Sequence, residues 1–143
     1  MSEVAEAEQL AREAFRALRE KDYTKAQSHA ARAHALLERG GGPDEKRSEV
    51  LHRLAGVHRG LGDAKQCEAT ARAAIEVERR CDRPMLLGNH LMFLADFLFE
   101  QKRFSEAADM ARSAVPYYER ALGPDHSQTA RVRADAERFG RGA

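Results

Sequence analysis

The side chains in this chain best suited to chemistry are six histidines and two cysteines. The histidines are His29, His34, His52, His58, His90 and His126. Imidazoles of this kind serve as metal ligands or proton carriers. No two stand at the spacing of a helical metal site beside a suitable third ligand, and the His-Glu-x-x-His pattern is absent. His58 falls on an apolar helical stripe and is expected to be packed, with one hydrogen bond. His126 belongs to a Gly-Pro-Asp-His helix start. Cys67 and Cys81 do not make a disulfide framework. Cys67 stands where a small buried residue is wanted, whereas Cys81 lies near a helix end, within reach of solvent. Gly40 to Gly42 lack the Gly-Lys-Ser/Thr ending of a phosphate loop and follow a helix rather than a strand. Glu76 and Glu78 read as a solvated helix face, and no Ser–His–Asp or Cys–His arrangement emerges from local spacing. The expectation is no catalytic residue, no metal site, no cofactor and no enzyme activity.

The elements that would have to position such groups set a different theme. At 143 residues the chain has the length of one domain. Its 24 basic and 23 acidic side chains are spread evenly, so no segment offers the basic stripe that nucleic-acid binding needs. Trp is absent and aromatic residues make up 6%, which argues against a base-stacking surface. The first residues, MSEVAEAEQLAREAF, are acidic and amphipathic, unlike a secretory signal. The most apolar stretch, Met85 to Phe99, is broken by Gly88, Asn89, His90 and Asp96 and is too short to span a membrane. A reduced, cytoplasmic protein without membrane or nucleic-acid partners is expected.

A short pattern recurs three times: KDYTKAQSHAARA from Lys21, LGDAKQCEATARAA from Leu61 and KRFSEAADMARSA from Lys102. Its anchors Ala26, Cys67 and Ala107 lie about 40 residues apart, followed in step by Ala30, Ala71, Ala111 and by Ala33, Ala74, Ala114. A period near 40 with two helices per unit means a helical solenoid. Helices are expected at 3–20, 23–39, 44–60, 64–80, 85–101, 104–121 and 125–139. The small residues allow close packing of two antiparallel helices, with Tyr23 and Phe104 as aromatic wedges. The second repeat has Ala64 in that place and so lacks the wedge. Thr24 with Gln27 and Asp63 with Gln66 have the form of capping boxes. Pro43 and Pro124 fit first helical turns, and Pro116 should kink the sixth helix.

These residues resemble a tetratricopeptide repeat. The resemblance rests on Leu10, Ala14, Asp22-Tyr23, Ala26, Ala30 and Ala33, on Leu51, Leu54, Ala55, Gly62-Asp63, Ala71 and Ala74, and on Leu91, Leu94, Ala95, Phe104, Ala107, Ala111 and Ala114. The long repeats and the segment YYERALGPDHSQTA are similar to the kinesin-light-chain-like bacterial subclass. The resemblance implies an all-α, right-handed helical solenoid of about three helix pairs plus a C-terminal capping helix. Residues 1–143 would form a single domain, with repeats at 3–39, 44–80 and 85–121 and the capping helix at 125–139.

The resemblance also implies a function. In this family the first helix of each pair lines a concave groove that binds peptides or protein segments. Register carries that groove onto Phe15, Leu18, His52, Arg59, Asn89, Met92, Asp96, Phe99 and Arg133. Relatives that clamp a C-terminal carboxylate use Lys and Asn in the first repeats. This chain has Ala11 and Phe15 there, which argues against a carboxylate clamp. The expected role is an adaptor or scaffold that holds a peptide or helical segment of another protein. The alternatives are a sensor of a small signalling peptide or metabolite, and a self-associating subunit of a larger complex.

Overall fold

The computed structural model describes residues 2–142, and all regular structure among them is helical. Seven helices follow one another: α1 (Glu3–Arg19), α2 (Tyr23–Glu38), α3 (Asp44–Leu61), α4 (Ala64–Glu78), α5 (Pro84–Glu100), α6 (Phe104–Leu122) and α7 (Ser127–Gly140). They group into two compact units, Met1–Cys81 and Asp82–Ala143. The first holds α1 to α4 and the second α5 to α7.

The repeat in the sequence appears as a repeated turn. After α1, α3 and α5 one residue adopts positive φ: Lys21 at 63°, Gly62 at 76° and Lys102 at 63°. The next N–H reaches back across the helix end, from Asp22 to Ala17 O (2.8 Å), Asp63 to His58 O (3.0 Å) and Arg103 to Leu98 O (2.9 Å). The N–H groups of Lys21, Gly62 and Lys102 bond to Leu18, Arg59 and Phe99 carbonyls. This is the paired hydrogen-bond pattern of a Schellman ending, which satisfies helix carbonyls that otherwise lack donors. In the first two turns the same residue that closes one helix opens the next. The Asp22 side chain accepts from the Lys25 N–H, and Asp63 from that of Gln66. The expected cap at Thr24 is therefore corrected to Asp22, because the left-handed residue at 21 sets where α2 can begin.

A second device closes each helix pair at its other end. Arg39 at the end of α2 reaches Glu3 at the start of α1 (3.0 Å), and Arg80 beyond α4 reaches Asp44 of α3 (3.0 Å). Arg120 near the end of α6 pairs with Asp82, just before α5. The three arginines are again one repeat apart. Hydrogen bonding from Arg80 holds the Asp44 carboxyl below the usual carboxylate range. Pairs this exposed contribute little to stability, so they act mainly to set register.

Inside the first unit, Val4, Leu10, Leu37, Val50, Leu51, Leu54 and Val57 pack with Ala7, Ala11, Ala14, Ala30, Ala33 and Ala74. The alanines let helix axes approach, and the larger residues fill the space between them. In the second unit Leu91, Leu94 and Leu98 of α5, Ala107, Ala111, Ala114 and Tyr118 of α6, and Val132, Ala136 and Phe139 of α7 are buried. α5 is apolar nearly all round, yet only part of it is covered fully: Met92, Phe93 and Phe99 are half-buried.

Several expectations are corrected. Tyr23 does not wedge the first pair. It opens α2 immediately after the cap, where its side chain is 50% exposed. Phe104 does pack inward, with its ring centroid 5.2 Å from that of Phe99. Cys81 is buried, its thiol directed at the Val77 carbonyl. Glu78 is fully buried rather than solvated, and accepts a 2.7 Å hydrogen bond from the Ser48 hydroxyl. It continues the inner stripe of Cys67, Ala71 and Ala74, and helical periodicity carries it inward with them. Pro124 and Asp125 form a turn before α7 rather than its first residues, and the His126 ring caps that helix by accepting from the Gln128 N–H. α6 continues without interruption past Pro116.

Candidate functional site

In the first unit α1 and α3 run side by side in the same direction. Lys46 near the start of α3 bonds to Glu8 near the start of α1 at 3.3 Å. Leu18 near the end of α1 presses on Gly60 near the end of α3. A Cβ at Gly60 would stand 2.3 Å from a Leu18 methyl, so the close approach depends on glycine. Four of the expected groove residues lie along this pair. Phe15 is 42% exposed, one of two large apolar side chains among the described residues that face solvent. Leu18, His52 and Arg59 are half-buried. Gly56, between His52 and Arg59 in register, has open space where a Cβ would be. The unit thus presents an aromatic ring on one helix, and on its neighbour a glycine gap flanked by an imidazole and a guanidinium.

The second unit uses its expected groove residues differently. Asn89 accepts a 2.5 Å hydrogen bond from the Tyr118 hydroxyl. Phe99 stacks on Phe139 at 4.8 Å and touches Phe104, with the Arg138 guanidinium 5.5 Å above its ring. Arg133 donates to the Pro124 carbonyl (2.9 Å) and to Glu119 (2.5 Å). These three side chains therefore tie α5, α6 and α7 together. Met92 is half-buried and Asp96 exposed.

The environment of the titratable groups does not suggest catalysis. Burial pushes the Cys67 thiol up to about 11, far from a reactive thiolate. Burial likewise pushes Tyr118 up to about 12, keeping its hydroxyl protonated as the donor to Asn89. Among the described residues no group of three or more His, Cys, Asp or Glu side chains is placed to hold a metal ion. No described helix is long and apolar enough to cross a membrane.

Three groupings escaped the sequence reading: His34 with His58, Ser48 with Glu78, and Tyr118 with Asn89. A signal existed for Glu78, which stands in step with the small-residue stripe. Nothing local marks the other two pairs, whose members come from separate helices.

Comparison with known proteins agrees with this geometry. A tetratricopeptide repeat family model matches residues 88–128, which run from within α5 through α6 to the first residues of α7. The crystal structure of BtubC (BKLC) from P. vanneervenii superposes with a TM-score of 0.75 at 16% identity, over 96% of this chain and 55% of that one. That protein is a kinesin light chain-like tetratricopeptide-repeat protein. The chain spans 55% of its length. No curated protein matches the sequence. The chain thus carries a match to one tetratricopeptide repeat at residues 88–128, and over nearly its whole length it has the fold of a helical repeat protein. Repeats of this kind generally mediate protein–protein interaction.

Proposed function

We propose that the protein is an adaptor that receives an apolar or amphipathic segment of a partner protein on the faces of its first helices. The observation that carries the reading is Phe15, an aromatic side chain of α1 left open to solvent at the register position where the neighbouring α3 has Gly56 and open space. An exposed aromatic beside a polar rim is the usual anchor arrangement of an interface. His52 and Arg59 give that rim its polar character, and Arg59 favours an acidic group on the segment. In the second unit Met92 and Asp96 play the corresponding parts. Asn89, Phe99 and Arg133 hold the helices that present them. The reading includes no catalysis. The two free, buried cysteines suit a reducing compartment such as the cytoplasm.

Affinity capture from native lysate tests the reading. Burying one aromatic anchor contributes about 1.5–3 kcal/mol. Phe15→Ser is therefore expected to weaken capture of a specific partner roughly tenfold or more. Arg59→Glu should weaken it as well, and both variants should keep the helical circular dichroism of the parent. Identical capture by the parent and both variants would overturn the proposal.

A further inference from the structure

In the first unit His34 of α2 and His58, in the last turn of α3, meet with their Nε2 atoms 2.9 Å apart. Their ring centroids are 5.1 Å apart and their planes differ by 24°. That centroid separation is close to the N···N distance extended by the reach of each ring. The imidazoles therefore meet tip to tip along a hydrogen bond rather than face on face. A contact of this kind holds one proton between two nitrogens. His58 Nδ1 is buried with no hydrogen-bond partner. An orphaned buried N–H is rarer than an under-used acceptor, so His58 carries its proton on Nε2 and donates it to His34.

The pair lines a cavity of about 580 Å³ between α2, the end of α3 and the start of α4. Its charged lining groups besides the pair are Glu38, one turn beyond His34 on α2, and Asp63, the cap of α4. Gln27 and Gln66 are the neutral polar ones, and α1 contributes no lining residue.

We propose that the His34–His58 contact is an acid-sensitive latch, which fastens α2 to the α3–α4 turn while neutral and opens when the pair takes up protons. Protonating the acceptor nitrogen would set N–H against N–H at the same short distance. The other site, His58 Nδ1, is enclosed. Burial holds His34 below the ordinary histidine value, opposed by the weaker pull of Glu38. Burial and then His34 hold His58 below it, opposed by Asp63. The same two carboxylates can receive the released imidazolium groups, which gives the open state ion pairs that the closed state lacks. The sign follows from the lowered values. Below 6.5 the unfolded chain binds protons that the folded chain does not. The latch therefore contributes in full above that pH, and its contribution is lost as pH falls through the lowered folded values. The inference stands apart from the binding proposal and does not need a partner.

A double-mutant cycle tests it, with His34→Ala, His58→Ala and the double variant unfolded in urea at about pH 7.5 and about pH 5. Effects of carboxylates elsewhere cancel in the cycle. At the higher pH the midpoint shift of the double variant should fall clearly short of the sum of the single shifts. At the lower pH the shifts should add. Equal coupling at both values would overturn the latch. Should a single variant fail to fold, imidazole proton resonances of the parent protein decide. Two linked titrations below the ordinary histidine range support the latch, and two independent, ordinary ones overturn it. A stabilisation by stoichiometric zinc ion that the double variant lacks would also overturn it, by making the pair a metal site.

Discussion

Tyr118→Ala is expected to destabilise the α5–α7 unit by about 3–5 kcal/mol, the usual range for deleting a large buried ring. Tyr118 is the largest fully buried side chain in the chain, at 2% exposure. Its ring lies against Gly88 so closely that a Cβ there would meet ring carbons at 2.9 and 3.1 Å. Its hydroxyl is held by Asn89, the next residue on α5. Ring and hydroxyl are thus fixed at two adjacent points of one helix, so neither can move to relieve the other. Two milder variants separate the contributions. Tyr118→Phe removes only the hydroxyl, with its hydrogen bonds to Asn89 and Gln128, and should cost about 0.5–1.5 kcal/mol per bond, plus a share for the Asn89 oxygen left without this donor. Gly88→Ala, which elsewhere in a helix would stabilise, should cost about 1–3 kcal/mol by overpacking. Urea unfolding followed by circular dichroism orders the three. Tolerance of Gly88→Ala without loss would show that the α5–α6 contact is looser than its distances indicate.

The first unit has its counterpart in Leu54. This residue of α3 is completely buried, in a cluster whose neighbours are largely alanine and valine. Leu54→Ala should cost about 2–5 kcal/mol, since side chains that short cannot collapse into the space left behind. Leu54→Met nearly conserves volume and should cost less than about 1.5 kcal/mol. Near-equal midpoints for the two variants in urea would mean that the cavity closes by helix movement.

Both positions bear on how far the fold can be read from the residues alone. Leu54 is one of the residues that carry the repeat, and helical spacing marks it as core. The same spacing, broken by Gly-Pro and Gly-Asp segments, places every helix to within a few residues of its observed ends. Tyr118 shows the limit. Periodicity points it inward, but nothing in the sequence says that it meets a glycine and an asparagine from the preceding helix. The choice between Asp22 and Thr24 as a cap turns on a backbone angle at Lys21, which the chemistry of lysine does not announce. The surface residues divide by the same logic. Register places Leu18 and Phe99 at equivalent positions on α1 and α5. Phe99 finds aromatic neighbours within its own unit, because α7 supplies Phe139 and α6 supplies Phe104, whereas Leu18 presses on Gly60 of α3. What an equivalent side chain packs against thus depends on what the chain places beyond it.

The left-handed turns carry one more consequence, for proteolysis. Lys102 is the sole lysine between Asp82 and the last residue. It occupies a turn fixed by two backbone hydrogen bonds, at a φ that an extended protease substrate does not adopt. A lysine-specific protease can cut there only after the α5–α6 hairpin has opened. The rate of that single cleavage therefore measures local opening of the second unit without a label, while the four other lysines report on the first. A residue that costs the turn some backbone strain thereby makes the separate breathing of the two units measurable in the unmodified protein.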